Sequence, residues 1–177
     1  MTEPLFFDTD CLSAFLWVND QSLLAQLYSG RIIIPEEVYT ELSNPRVVFL
    51  KNRVDRMISG GEARVENISI GSKEYLLYQK MTLSPDPGHT VIGKGEAAAI
   101  SMAKYRDGIV ASNNLRDVSK YVSEYDLVLM TTGDIMKEAF EKGLITESIG
   151  NHIWNEMIEK RRKLGYKTFS DFLSANK

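Results

Sequence analysis

A chain of 177 residues, 44% hydrophobic and 25% charged, has the composition of an ordinary globular protein with room for one core. Its formal charge of -3 argues against a general polyanion binder, its single cysteine excludes an internal disulfide, and no apolar run approaches a membrane span. The early apolar residues are interrupted by Glu3, Asp8 and Asp10 and lack a basic flank, so a cytoplasmic protein without membrane attachment is expected.

Leu5 to Phe7 is a short apolar run ending at Asp8, and it reads as a buried first strand. Asp8, Thr9 and Asp10 then supply cap residues for a helix whose apolar face is Cys11, Leu12, Phe15 and Leu16. Asn19 and Asp20 break the pattern, and a second helix with Leu23, Leu24 and Leu27 ends at Gly30. Arg31 to Ile34 is β-branched and reads as a second strand. Pro35 at a first helical position opens a helix carrying Glu36, Glu37 and Glu41, which Asn44-Pro45 stops. Between 46 and 92 the signals weaken. Val47 to Ile58 and Lys73 to Met81 read as helices, Val65 to Ile70 alternates as a strand would, and Ser84 to Gly88 is a loop.

The stretch from Gly93 to Asp117 is the most informative. A glycine-flanked start carries Glu96 into an alanine-rich helix, a strand follows at Gly108 to Ala111, and Ser112-Asn113-Asn114 turns into a helix start carrying Asp117. Leu127 to Met130 reads as the last strand, and Thr131 to Asp134 opens a helix that runs to Gly143. A long helix near Ile149 to Lys163, with Gly165 past its end, and a short one near Ser170 to Ser174 close the chain. Strands alternating with helices predict an α/β fold, a parallel sheet with helices on both faces.

In such a sheet, ligands gather outside the carboxyl ends of the strands. Asp8, Glu41, Glu96 and Asp117 sit where a strand ends or a helix begins, with Asp134 and Asp10 as further candidates. Clustered carboxylates without neighbouring histidine or thiolate suit Mg²⁺ or Mn²⁺, which favour oxygen ligands and activate water for phosphodiester chemistry. A second reading stands beside this. Acids in first turns complement the helix dipole, and both Asn114-x-x-Asp117 and Thr131-x-x-Asp134 have capping-box form. The residues alone leave both readings open.

The motifs FFDTDCLSAFL, PEEVYTEL, GKGEAAAISMAK, VASNNLRDV and LMTTGDIMKEAFEKGLI, in this order, resemble the PIN-domain ribonucleases, including the VapC-type toxins. The resemblance covers most of Leu5 to Ile145 outside the middle segment. It implies a three-layer α/β/α PIN-like fold with a central parallel sheet, formed by one domain over 1–177 with a longer middle segment at 46–92 and C-terminal helices at 146–177. It also implies a divalent-metal endoribonuclease using Mg²⁺ or Mn²⁺, an RNA substrate, an antitoxin partner for a toxin, and a homodimer. By motif, Asp8, Glu41, Glu96 and Asp117 match the family's acids, with Asp8, Glu96 and Asp117 holding metal. Asp134 is a lower-ranked metal candidate, and Thr131 is placed near the site. Many members carry aspartate directly after the fourth strand. Here Asn113 and Asn114 stand there, and the acid comes at Asp117. The asparagines keep a second function in view, a catalytically weak PIN-like module that binds RNA or protein.

Other residues carry plainer expectations. Cys11 is expected in the core rather than as a nucleophile with His89 or His152. Gly93-Lys94-Gly95 lacks Walker spacing. Lys160 to Lys163 is expected to be a solvated helix end, with phosphate contact as the alternative.

Overall fold

The computed structural model describes residues 2–177. Five parallel strands form the sheet: β1 (Leu5–Phe7), β2 (Ile32–Pro35), β3 (Ala63–Glu66), β4 (Ile109–Ala111) and β5 (Val128–Met130), in the order β3-β2-β1-β4-β5. Ten helices surround it: α1 (Thr9–Trp17), α2 (Gln21–Tyr28), α3 (Glu36–Leu42), α4 (Val48–Ser59), α5 (Lys73–Leu83), α6 (Lys94–Tyr105), α7 (Leu115–Glu124), α8 (Thr132–Glu141), α9 (Glu147–Glu159) and α10 (Phe169–Ala175).

The alternation of side chains along a strand builds two cores from one sheet. Leu5, Phe7, Ile32, Ile34, Ile109 and Ala111 face a cluster with α1, α2, α4 and α8 to α10. Phe6, Ile33 and Val110 face the opposite way, against α5, α6 and α7. The three strands at the centre are buried on both faces, which is why they read as unbroken apolar runs. Helix α6 lies close to the sheet because its inner residues are small. Ala97, Ala98, Ala99 and Ala103 have no exposed surface.

The chain fills one side of β1 with β2 and β3, then crosses back to place β4 and β5 on the other side. The switch point therefore lies between β1 and β4, where an open α/β sheet leaves a crevice.

Three boundaries differ from the sequence reading. The third strand is Ala63–Glu66, not Val65 to Ile70. It pairs with β2 from Ile32 opposite Ala63 to Pro35 opposite Glu66, and Ile68 is buried as a loop residue in the second core. Pro35 is the last residue of β2 and precedes α3 rather than opening it. Helix α9 ends at Glu159, four residues early, because Arg161 takes a left-handed backbone with φ 61°.

Candidate functional site

Each strand at the centre delivers polar residues to the same edge. Asp8 follows β1 and Ser112 follows β4. Their strands are paired, and Asp8 N donates to Ala111 O at 2.9 Å. Helix α6 runs back toward β4, so its first turn, with Glu96, starts at this edge as well.

Asp8 is only 1% exposed. It caps α1, with Oδ1 accepting from Cys11 N at 2.7 Å, and Oδ2 accepts from the Ser112 hydroxyl. Burial pushes its carboxyl up to about 7 against the pull of these two donors, and the negative charges of Asp10 and Glu96 add to the rise.

A network leads outward from Asp8. Asn114 N donates to Ser112 Oγ at 3.2 Å. The Asn114 amide nitrogen donates to Glu96 Oε1 at 2.6 Å and to Asp117 Oδ2 at 2.8 Å, so one amide spans both carboxylates. Glu96 Oε2 accepts from Gly93 N at 2.9 Å, closing the first turn of α6. Asp8, Glu96 and Asp117 are thus gathered on the hydroxyl of Ser112 and the amide of Asn114. Asn114 stood out in the sequence only as an asparagine where an acid was expected, and Ser112 only as a turn residue, because serine and asparagine after a strand also make ordinary turns.

Glu41 comes from α3 and accepts from the Thr9 hydroxyl. It lines a groove of about 130 Å³ with Asp8, Asp10 and Glu96, across which Gly95 lets α3 and α6 approach closely. Asp134 closes a capping box, where its Oδ2 accepts from Thr131 N at 2.8 Å and from Thr131 Oγ1 at 2.7 Å, and it lines a cavity with Asn114 and Asp117. The pattern Asn114-x-x-Asp117 is not a capping box, since Asn114 makes no side-chain cap to α7. Asn113 is a clamp between strands and helix: its Oδ1 accepts from Thr132 N and its Nδ2 donates to Thr132 Oγ1, both at 2.8 Å. Cys11 is buried, and burial pushes its thiol up, away from nucleophile chemistry.

Within the basic run Lys160, Arg161 and Lys163 are exposed at the end of α9, as expected, whereas Arg162 is half-buried. Arg162 reaches back over the site's rim, pairing with Asp10 at 3.5 Å and lying 5.6 Å from the Trp17 ring centre. Sequence spacing held no signal for this return across the molecule.

A parallel sheet between helix layers, with carboxylates at its switch point, defines an α/β protein whose polar cluster lies at the carboxyl edge of its strands. A family model described as a PIN domain matches residues 5–177, and the chain belongs to the PIN-domain family, whose members are generally nucleases. No curated protein and no solved structure matches the chain.

The donor chemistry at the edge is of the kind a hard divalent cation takes, the carboxylate oxygens of Asp8, Glu96 and Asp117, with the Asn114 amide turning its nitrogen toward the latter two. The arrangement is open rather than caged. Among the described residues no three His, Cys, Asp or Glu side chains stand close enough together to hold an ion, and the Asn114 amide fills the space between Glu96 and Asp117. Also among the described residues, no helix is long and apolar enough to cross a membrane.

Proposed function

We propose that the chain is a divalent-metal-dependent endoribonuclease that hydrolyses RNA phosphodiester bonds. The observation that carries this reading is the gathering of Asp8, Glu96 and Asp117 by Ser112 and Asn114 at the switch point. Asp8, Glu96 and Asp117 would hold the cation. A bound Mg²⁺ or Mn²⁺ supplies a Lewis acid at the phosphoryl oxygen and an acidified water.

The chain's own groups set the rest. Ser112 and the Cys11 amide fix both oxygens of Asp8, so its carboxylate cannot rotate away from the edge. Thr9 holds Glu41 at Oε2 and leaves Oε1 beside Gly95, in the groove that Asp8 and Glu96 also line. Oε1 is the atom placed to take a proton from an attacking water. The Asn114 amide donor keeps two like charges together before a substrate arrives. In this reading the chain serves as the toxin of a toxin–antitoxin pair, held inactive by a small protein partner.

The test is cleavage of single-stranded RNA with Mn²⁺ or Mg²⁺, by the wild type and by Asp8→Asn. Cleavage in the wild type, lost in EDTA and lost in a folded Asp8→Asn, is expected. Cleavage that survives both the chelator and the substitution would sink the reading. The Asn114 amide between Glu96 and Asp117 favours one alternative, a PIN-like module that binds RNA with weak catalysis. Metal-independent RNA binding without any cleavage would select it.

A further inference from the structure

We propose that the segment from Lys163 to Tyr166 forms one wall of a groove for single-stranded RNA, leading from the acids to Tyr166; the proposal rests on the ribonuclease reading above. A cavity of about 820 Å³ opens between the start of α7, the start of α8 and this segment. It is continuous with the acid cluster, because Asn114 and Asp117 form its near end. Arg116, Lys163, Tyr166 and Asn176 line the remainder, with Asp134 among them.

The segment is built to present those groups. After Arg161 turns the chain out of α9, side chains alternate as in an extended strand: Arg162 and Leu164 are half-buried, Lys163 and Gly165 exposed. Arg162 is anchored on Asp10, on Trp17, and on Ser13 Oγ at 3.4 Å. Leu164 packs on the first core, and the Trp154 indole donates to Tyr166 O at 3.1 Å. With three anchors inward, Lys163 and Tyr166 are left to the groove. The Tyr166 ring is 39% exposed and stands edge-on to Phe172, with centres 5.4 Å apart and planes at 86°. On the opposite wall the Arg116 side chain is 94% exposed, and its Nε stands 3.6 Å from Asp117 Oδ1.

A single strand needs cations for its phosphates and a flat ring for an unstacked base, and this groove offers both beside the acids. The need is sharper here than in a basic protein. With a net charge of -3 and carboxylates at the chemical edge, a polyphosphate reaching them needs local cations, which Arg116 and Lys163 supply alongside Asp117 and Asp134.

The test is fluorescence anisotropy of a labelled 12-nucleotide single-stranded RNA of mixed sequence, in EDTA, so that no cleavage intervenes. The double variant Lys163→Glu/Arg116→Glu should weaken binding at least tenfold and flatten the dependence of log K on log salt by about 1.4, roughly 0.7 per phosphate contact. Tyr166→Ala should weaken it about tenfold by loss of stacking. Lys73→Glu, at an exposed position of α5 across the sheet, should change nothing. These are surface positions, so folding is not at stake. Wild-type affinity in the groove variants, an equal loss in Lys73→Glu, or no binding by the wild type at low salt would overturn the proposal. Cleavage with Mn²⁺ is read in parallel. Cleavage by the wild type with groove-insensitive binding removes the groove and leaves the ribonuclease. Groove-dependent binding without cleavage does the reverse.

Discussion

At the scale of single residues, Asp8 carries a cost of burial. Its pKa rises from an ordinary 3.8 to about 7 on folding, because burial disfavours the charged form. The folded state therefore holds a proton that the unfolded chain releases. The associated stability is fully present below about pH 4 and is lost as pH rises through 7. At about 1.4 kcal/mol per unit, the loss over the full range is on the order of 4 kcal/mol. Asn at this position keeps both contacts, accepting from Cys11 N and donating to Ser112 Oγ, without a charge to bury. Thermal melts in EDTA should show Asp8→Asn more stable than the wild type at pH 8, with the gap closing toward pH 4. A gap that is the same at both pH values would contradict the buried-charge account. Asn114 makes the complementary case. Its amide satisfies Glu96 and Asp117 where a cation would otherwise balance them. Asn114→Asp replaces two donors with another anion, so it should destabilise the metal-free protein and tighten Mn²⁺ binding tenfold or more, read by calorimetric titration. Unchanged affinity would place the cation away from Asn114.

Elements bring these residues together, and here the sequence was legible to different depths. The strands β1, β2 and β4 were readable because a strand buried on both faces is an unbroken apolar run. The edge strand β3 is half-exposed, so Ile68 drew the alternation past its true end. The end of α9 was hidden because an arginine, not a glycine, takes the left-handed position. That misplacement also concealed Arg162 on Asp10 and the groove wall beyond it. Asp8 and Glu96 could be found from strand and helix starts, but Ser112 and Thr9 could not, since their partners arrive from other elements. The approach of α3 to α6 gives an element-scale test. A Cβ at Gly95 would stand 3.0 Å from Thr9 Oγ1 and from Val38 Cγ2, and 3.5 Å from Glu41 Oε1. Alanine would gain about 1 kcal/mol of helix propensity and lose about 1–3 kcal/mol to crowding. Gly95→Ala should therefore melt within a few degrees of the wild type. Its RNA cleavage rate should fall tenfold or more as Thr9 and Glu41 are pushed apart. A large loss of stability with normal turnover of the folded fraction would show that Gly95 serves packing alone.

On the scale of the whole molecule, the site exists only when the sheet is assembled. Asp8, Glu96 and Asp117 are far apart in the chain, and three different helix starts carry them to one edge. An unfolded chain offers a cation isolated carboxylates, so metal binding that uses Asp8, Glu96 and Asp117 together, as proposed, would appear as folding stability. At a free concentration one hundred times the dissociation constant the gain is about 2.7 kcal/mol. For a domain of this size each kcal/mol moves the melting temperature by about 2–4 °C. Saturating Mn²⁺ should thus raise the wild-type midpoint by about 5–10 °C, with progressive titration rather than an abrupt step. The gain should exceed that from NaCl at matched ionic strength, because screening of surface charge is not selective for a divalent ion. Asp8→Asn, already relieved of its buried charge, should start higher in EDTA at pH 8 and gain little. The crossing of the two behaviours separates a gathered cation site from helix caps. A cap acid is stabilising without metal and indifferent to it, while an acid held for a cation is a burden until the ion arrives. Equal Mn²⁺ shifts in the two proteins would place Asp8 outside the cation's reach.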